Sequence, residues 1–384
     1  TLALVSSLFS DPKERTVAFA LWSGANGAGG AVGPLLSGVL LEHFSWGSIF
    51  LINVPLAVGI VVFGFFVLPH SRPRPVAGGV DYLGAVLSTV ALALICWAVI
   101  SAPGLGAGNV LVIGAAIGGL SLLAAFIYWE SRVPAPLLRL SLFKIRTFSV
   151  AVGVSGLVTA AGAGALFVLT QYLQFILDYT PMQTGIRVLP IAVAMLVGAV
   201  SAPRFIDLVQ LKVTVLIGLL CVGIGYGWLA TTSDSSAFGH LLPGVVLFGL
   251  GAGLLVPAAT QAVMDALPPD ATGAGSATNT ALMQVGSALG VAVIGSLLAA
   301  RYRGVMMSSS IWDQLGDLQS VALESVAGAA RVAEQLTAEL GAQLNQLAGH
   351  AFVAGMQISL LVCTIAVFAA LIAVFVLYPR DRRF

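Results

Sequence analysis

The feature that most constrains this chain is a series of long apolar runs that recur from one end of the sequence to the other. A helical run of about 18 residues or more crosses roughly 30 Å of hydrocarbon, at about 1.5 Å of rise per residue. The chain is 58% hydrophobic and only 9% charged, with a mean hydropathy of +1.01. Because a soluble domain carries about a quarter charged residues, the sequence predicts a polytopic membrane protein.

The spans are predicted to be helical. The runs are rich in alanine, glycine, leucine and valine, and they lack the alternating pattern of about ten residues that a membrane β-strand needs. We therefore expect an all-α polytopic membrane protein with about ten spans, at residues 15–41, 47–68, 81–101, 109–129, 146–177, 181–203, 212–231, 239–266, 271–300 and 347–378.

Lysine and arginine residues are distributed unevenly between the two sides of the predicted membrane. If residues 11–15 are cytoplasmic, thirteen of the 17 Lys and Arg residues fall in cytoplasmic segments, and only Arg301, Arg303 and Arg331 fall on the other side. The positive-inside rule then predicts that both ends of this chain are cytoplasmic.

Two segments rich in proline and basic residues divide the chain. They are LPHSRPRPVAGG (68–79) and SRVPAPLLRLSLFKIRT (131–147), a composition typical of connectors between domains. Two predicted spans precede the first connector, a pair lies between the connectors, and six follow the second.

Residues 301–346 form the longest polar stretch, and we place it on the extracytoplasmic side. Apolar residues recur there at intervals of three or four, which predicts an amphipathic helix that caps the bundle or lies on the membrane surface. These residues are Leu315, Leu318, Ala322, Val326, Ala329, Val332, Leu336, Leu340, Leu344 and Leu347.

Few residues favour catalysis or metal binding. Cys96, Cys221 and Cys363 each lie in an apolar run, and the four histidines are scattered without ligand spacing. We see no paired carboxylates, nucleophile elbow or phosphate-binding loop, and no basic patch with interleaved aromatic residues. We therefore expect a protein that is not an enzyme, with no cofactor, no metal and no nucleic-acid partner.

The stretch GANGAGGAVGPLLSG (24–38) places poor helix formers inside a predicted span. Small residues in lipid let helices approach closely, and Pro34 removes an N–H donor and bends the helix. The ordinary interpretation of such a strip is helix packing or dimerisation. On a helix the small residues form two adjacent rows, one with Gly29, Gly33 and Ser37 and the other with Gly30, Pro34 and Gly38.

The order of these residues, followed by SWGSIFLINVPLAV (45–58), resembles the antiporter motif in the fifth span of major facilitator superfamily drug exporters. The variant looks like the fourteen-span drug:proton antiporters, which include quaternary-ammonium exporters. Further stretches resemble that branch in the same order: DPKERTVAFALW (11–22), RLSLFKIRTFS (139–149), YTPMQTGIRVLP (179–190), LPPDATGAGSATNTALMQVGSALGVAVIGS (267–296) and AFVAGMQISLL (351–361).

The resemblance implies that the ten spans are numbers five to fourteen. Residues 1–68 would end the first six-helix half, residues 69–144 would hold the connectors and an inserted pair of spans, and residues 145–384 would form the second half. Thr1 is not an initiator methionine, and TLALVSSLF is about half a span. We therefore expect four spans to be missing in front, together with the family's proton-coupling residues.

The resemblance also implies an activity. We expect a monomeric exporter of lipophilic drugs in the cell inner (plasma) membrane, which exchanges its substrates for protons by alternating access. No acidic residue occurs between Ala271 and Ala300, which favours monovalent cations or neutral compounds over dications.

Candidate site residues follow from the antiporter motif and from the polar and aromatic residues within the predicted spans. Gly29, Gly33, Pro34, Ser37 and Gly38 are the packing and gating residues that match the antiporter motif. Polar and aromatic residues within spans either bond across helices or line a cavity. As cavity lining we predict Asn53, Gln171, Tyr172, Gln174, Phe175, Asn279 and Gln284.

An outer gate is the remaining candidate. Arg187 lies within a span and Asp178 ends the preceding one, so the two residues are predicted to pair. The alternatives are that Arg187 snorkels to the interface and that Asp178 is a solvated loop carboxylate.

Two other functions compete with drug export. The same fold suits an exporter of one specific metabolite, antibiotic or lipid, because fold does not fix substrate. A membrane scaffold or sensor that transports nothing is the alternative of another class.

Overall fold

The structure, a computed structural model, describes residues 11–67, 81–268 and 271–378. The half-span at residues 1–9 and the connector at 68–79 lie outside these ranges. Within them the chain is helical, with turns and irregular connections but no strand. The helices are α1 (Pro12–His43), α2 (Ser48–Leu51), α3 (Asn53–Val67), α4 (Tyr82–Leu105), α5 (Val110–Glu130), α6 (Arg146–Gln171), α7 (Pro181–Val209), α8 (Leu211–Leu229), α9 (Phe238–Asp265), α10 (Thr272–Met307), α11 (Gln319–Glu324), α12 (Val326–Ala333) and α13 (Ala338–Leu377).

Nine of the predicted spans coincide with described helices that are long and apolar enough to cross a membrane. The remaining prediction falls on α1, which is a helix of 32 residues but is not among the nine. Its glycines, together with Asn26 and Pro34, lower the mean hydropathy of the helix although its length suffices.

The prediction of one amphipathic helix over 301–346 is wrong. Helix α10 continues to Met307, α13 already begins at Ala338, and the residues between them form short pieces. The chain turns at Gly316, where φ is +51°, and becomes extended at Ser325, whose hydroxyl caps α12. We call residues 308–337 the cap.

The apolar periodicity of the cap corresponds to burial rather than to a continuous helix. Its apolar side chains point into the protein, and the Tyr302 hydroxyl donates to the carbonyl oxygens of Ala322 (2.9 Å) and Ser325 (3.2 Å). The buried cap residues are Leu315, Ala322, Val326, Ala329, Val332 and Ala333.

Six helices pack into one bundle: α6, α7, α8, α9, α10 and α13. Helix α9 lies between α7 and α8, and α10 packs along α6 and α13. Helix α1 packs on α7 and α9, and the α4–α5 hairpin packs on the bundle through α4 and α10. Residues 131–145 form the linker that leads into α6. We call the end of the bundle beside the cap the cap end, and the end beside this linker the linker end.

Glycines permit the closest of these helix contacts. On α10, a Cβ added at Gly286 would strike the carbonyl oxygen of Gly156, and one added at Gly290 would strike that of Ala160. On α9, a Cβ at Gly253 would strike the Met195 carbonyl oxygen of α7. Backbones in lipid are held together by such close packing, and no side chain fits at these positions.

We predict that Gly290→Ala destabilises the protein by about 1–3 kcal/mol, because the new methyl group overpacks the α6–α10 contact. The apparent melting temperature of the purified protein in detergent measures this effect. Gly304→Ala is the matched control, because Gly304 lies on the same helix with nothing within 4 Å of the added Cβ. Equal melting temperatures for both variants would show that this contact does not stabilise the bundle.

Candidate functional site

A cavity of about 310 Å³ lies near the middle of α6, α7 and α9, where α1 and α10 complete its wall. We call it the central cavity. None of its lining side chains is charged, and Thr159 contributes a hydroxyl that donates to the Ser155 carbonyl oxygen at 2.7 Å. The lining residues are Trp22, Val158, Thr159, Gly162, Ala163, Leu166, Val188, Ile191, Ala192, Met195, Phe248, Ala252, Val256 and Met283.

Helix α6 builds this space by using its small residues on two faces. Gly164 faces α10, where an added Cβ would lie 2.5 Å from Ile294, so that face packs closely. Thr159, Gly162 and Ala163 face the central cavity at intervals of three and four residues. At Gly162 an added Cβ would meet Phe248 at 3.4 Å, so the glycine widens the cavity beside an aromatic ring.

An aromatic pair forms one wall of the central cavity. Phe248 stacks on Tyr226 with ring centroids 5.1 Å apart and an interplanar angle of 27°. Tyr226 is fully buried, and its hydroxyl has no hydrogen-bond partner among the described residues. An unpaired buried hydroxyl costs about 1–3 kcal/mol, and here it lies 3.8 Å from the Cβ position of Gly162, directly behind the cavity wall.

The central cavity is chemically suited to a bulky lipophilic compound. Its two aromatic rings, Trp22 and Phe248, and its two thioethers, Met195 and Met283, offer polarisable surface without fixed hydrogen-bond geometry. An aromatic face attracts an organic cation by about 0.5–2 kcal/mol.

A larger cavity of about 810 Å³ opens at the cap end, between α4, α6, α10, α13 and the middle of the cap. Arg303 and Glu324 give it polar character at one side, and the Arg303 guanidinium lies 3.6 Å from the Cβ position of Gly104. Among the residues predicted from the sequence to line a cavity, Gln171 lies here.

The other residues of the predicted polar and aromatic cluster do not line either cavity. Tyr172 is fully buried, and its hydroxyl donates to the carbonyl oxygens of Ser233 (2.8 Å) and Ser236 (2.9 Å). It therefore fastens the end of α6 to the loop before α9. Gln174 is half-buried and Phe175 is exposed, on the π-helical turn Tyr172–Ile176 that extends α6.

The three remaining polar predictions are also separate from the cavities. Asn53 is exposed, and its amide donates to the backbone of its own helical segment, at Ile49 and Phe50. Gln284 is exposed on α10. Asn279 is fully buried, its Oδ1 has no partner in the described part of the chain, and its amide nitrogen lies 3.7 Å from the sulfur of Met283, which lines the central cavity.

The predicted outer gate pair is not formed. Asp178 is exposed with a φ of +53°, and both residues are described, yet no ion pair joins Asp178 to Arg187. The Arg187 guanidinium lies 3.6 Å from the centre of the Tyr179 ring, and its Nη1 donates to the Gln183 carbonyl oxygen. Stacking on an aromatic ring keeps the charge at the interface without a carboxylate partner.

The small-residue strip of α1 divides into a packed part and an open part. At Gly38 an added Cβ would lie 2.8 Å from Met182 Cα, and at Gly185 one would lie 2.9 Å from Leu35 Cα, so α1 and α7 meet backbone to backbone. The Pro34 carbonyl oxygen belongs to the same contact, and Ser37 is half-buried beside it. Among the described residues, no atom lies within 4 Å of a Cβ added at Gly29 or Gly33.

None of the residues predicted from the sequence lines the central cavity, whose lining includes Trp22, Met195, Phe248 and Met283. They are apolar residues within apolar spans, and hydropathy does not distinguish a side chain that faces a cavity from one that faces lipid. The available signal was the run of small residues at Thr159, Gly162 and Ala163, on a face other than that of Gly164.

A sequence model of the Major Facilitator Superfamily matches residues 1–291. The multidrug efflux pump LfrA of Mycolicibacterium smegmatis is 30% identical over 383 residues, which cover 99% of this chain and 75% of the relative. The tetracenomycin C resistance and export protein of Streptomyces glaucescens is 29% identical over 370 residues, which cover 95% of this chain and 69% of the relative.

A third relative comes from another bacterium. The methyl viologen resistance protein SmvA of Salmonella typhimurium is 28% identical over 368 residues, which cover 94% of this chain and 72% of the relative. The family match covers well over half of the chain, and its helical bundle is of the kind that the resemblance implied. This multi-pass membrane protein therefore belongs to the major facilitator superfamily.

Proposed function

We propose that the protein is a secondary active transporter that exports lipophilic drugs in exchange for protons, by alternating access. The observation that carries the proposal is the central cavity, whose uncharged lining of aromatic rings and thioethers suits such compounds. The names of two relatives support the same substrate class, because they describe multidrug efflux and tetracenomycin C export.

Alternating access is supported by the way that α1 meets the bundle. Helix α1 contributes Trp22 to the central cavity and packs closely on the start of α7 through Gly38 and Gly185. A rocking motion of one half against the other would pivot at this contact and open the cavity along α1. We infer proton exchange from the resemblance of the sequence to the fourteen-span drug:proton antiporters.

The charge of the substrate follows from the lining. With no carboxylate on the cavity wall, monovalent cations and neutral compounds are favoured over dications. The proposed partners are therefore small lipophilic compounds, protons and the lipid bilayer. We propose that the protein acts as a monomer. The distribution of lysine and arginine supports an inner (plasma) membrane location with both ends of the chain in the cytoplasm.

Ethidium efflux from bacterial cells that express the protein tests the proposal. We expect efflux that a protonophore abolishes, and slower efflux of the doubly charged methyl viologen. A membrane-inserted protein that exports neither compound, nor other lipophilic cations, would contradict broad drug export. The names of relatives that export tetracenomycin C and cephamycin would then favour one specific antibiotic or metabolite.

We predict that filling the central cavity reduces ethidium efflux. Ala192→Phe places a ring in the cavity, and the loss of about 1.4 kcal/mol of substrate binding reduces efflux at low substrate concentration about tenfold. Val193→Phe is the matched control, because the neighbouring side chain lies outside the cavity lining and is 60% exposed. Equal efflux by the two variants at equal expression would place substrate elsewhere.

We also predict that Gly38→Ala impairs efflux and lowers the apparent melting temperature, because the added methyl group forces α1 away from Met182. Gly33→Ala leaves both quantities close to wild type, since Gly33 has open space beside it on the same helix. If Gly33→Ala were as damaging as Gly38→Ala, the contact with α7 would not be the reason for the effect.

A further inference from the structure

The linker end of the α4–α5 hairpin contains two buried carboxylates that lie outside both cavities. Asp81 is 9% exposed and precedes α4 as its N-cap. Its Oδ1 accepts from the Gly84 backbone N–H at 2.9 Å. The Trp129 indole N–H of α5 donates to the same carboxylate, at 3.0 Å from Oδ1 and 3.1 Å from Oδ2.

The second carboxylate belongs to Glu130, the last residue of α5, which is only 3% exposed. Its Oε2 accepts from the Leu138 backbone N–H of the linker at 3.0 Å. Its Oε1 is buried and has no hydrogen-bond partner within the described ranges. Burying a carboxylate oxygen without a hydrogen-bond donor costs free energy. A bound proton or other ligand at this atom would remove that cost.

The unpartnered oxygen of Glu130 and the Asp81 carboxylate border the same small space beside Gly84. Glu130 Oε1 lies 2.8 Å, and Asp81 Oδ2 lies 2.5 Å, from the one point that a Cβ on Gly84 would occupy. The two carboxylates therefore fill the space beside Gly84 together, and only glycine fits there.

Among the residues that the structure describes, no oppositely charged side chain is paired with either carboxylate. The charge that acts on Glu130 is that of Asp81. The neighbouring titratable side chains on the packed elements are Tyr82 of α4 and Tyr128 of α5, both exposed. In the linker, the Arg132 guanidinium lies over the Tyr128 ring at 5.2 Å from its centre.

We propose that Asp81 and Glu130 form a proton-binding site, in which one proton is held between Glu130 Oε1 and Asp81 Oδ2 at neutral pH. Two ionised carboxylates in a shared buried space repel each other, and one proton replaces that repulsion with a short O–H···O bond. Asp81 already accepts N–H donors whereas Glu130 Oε1 accepts none. The proton therefore resides on Glu130 Oε1, which donates it to Asp81 Oδ2.

The site joins three segments of the chain. Asp81 starts α4, Glu130 ends α5, and the Leu138 N–H bond ties Glu130 to the linker that leads into α6. When the proton leaves, the repulsion between the two carboxylates returns, and the junction of α4, α5 and the linker loosens. The proposal depends on neither the central cavity nor drug export, so it stands or fails separately from the proposed function.

Infrared spectroscopy of the full chain in lipid nanodiscs at neutral pH tests the site directly. We expect a carbonyl band of a protonated carboxyl group that is lost in Glu130→Gln and retained in Glu339→Gln, whose parent residue is an exposed glutamate on α13. A wild-type spectrum without this band, or a band that persists in Glu130→Gln, would overturn the proposal.

A pH series provides the second readout. The apparent melting temperature of the wild type should fall as the pH rises and the proton leaves, and the fluorescence of Trp129, obtained by difference from Trp129→Phe, should change in the same pH range. Glu130→Gln should remove both changes, because its amide N–H permanently replaces the O–H donor. Asp81→Asn serves the same purpose if Glu130→Gln does not fold. A transition that follows sodium concentration instead of pH, or that both variants retain, would refute a proton site.

Discussion

Close approach of helix backbones is the interaction on which this bundle depends. In lipid there is no hydrophobic force between helices, so packing and hydrogen bonding hold them together. Gly290 beside Ala160 joins α10 to α6, and Gly253 beside Met195 joins α9 to α7. Where the small residues of α6 meet no partner, at Thr159, Gly162 and Ala163, the same composition leaves a cavity instead of a contact. Architecture and site therefore come from one property, the distribution of small side chains around each helix.

The helical architecture was predictable because the bilayer imposes it. A chain that crosses hydrocarbon must satisfy its backbone within helices, and the thickness of the membrane sets their length. The cap was not predictable in the same way. Its apolar periodicity correctly identified the buried side chains, such as Ala322 and Val332, but the breaks depend on backbone conformation at Gly316 and Ser325. Periodicity indicates which face is buried and does not indicate whether the helix is continuous.

The site was harder to predict than the fold, for a physical reason. Polar residues within spans were predicted to line a cavity because burying a polar group without a partner is costly. Tyr172 and Asn53 instead donate hydrogen bonds to backbone carbonyl oxygens. The residues that do line the central cavity, such as Met195 and Phe248, have the same apolar character as residues that face lipid. Which environment such a side chain meets depends on the rotation of its helix and on its neighbours, and neither follows from one sequence.

The proposed substrate site and the proposed proton site lie in different parts of this chain, and α10 contacts elements of both. The central cavity is uncharged and takes Met283 from α10, whereas the Asp81–Glu130 pair lies on the hairpin whose α4 packs on α10. Coupling between such sites requires an element with two arrangements whose balance both sites bias. Helix α10 meets the geometric condition, because it contacts α4 on one side and α6 on the other. Its contact with α6 runs through Gly286 and Gly290, where no side chain intervenes, so a displacement of α10 must move α6 and with it the wall of the cavity.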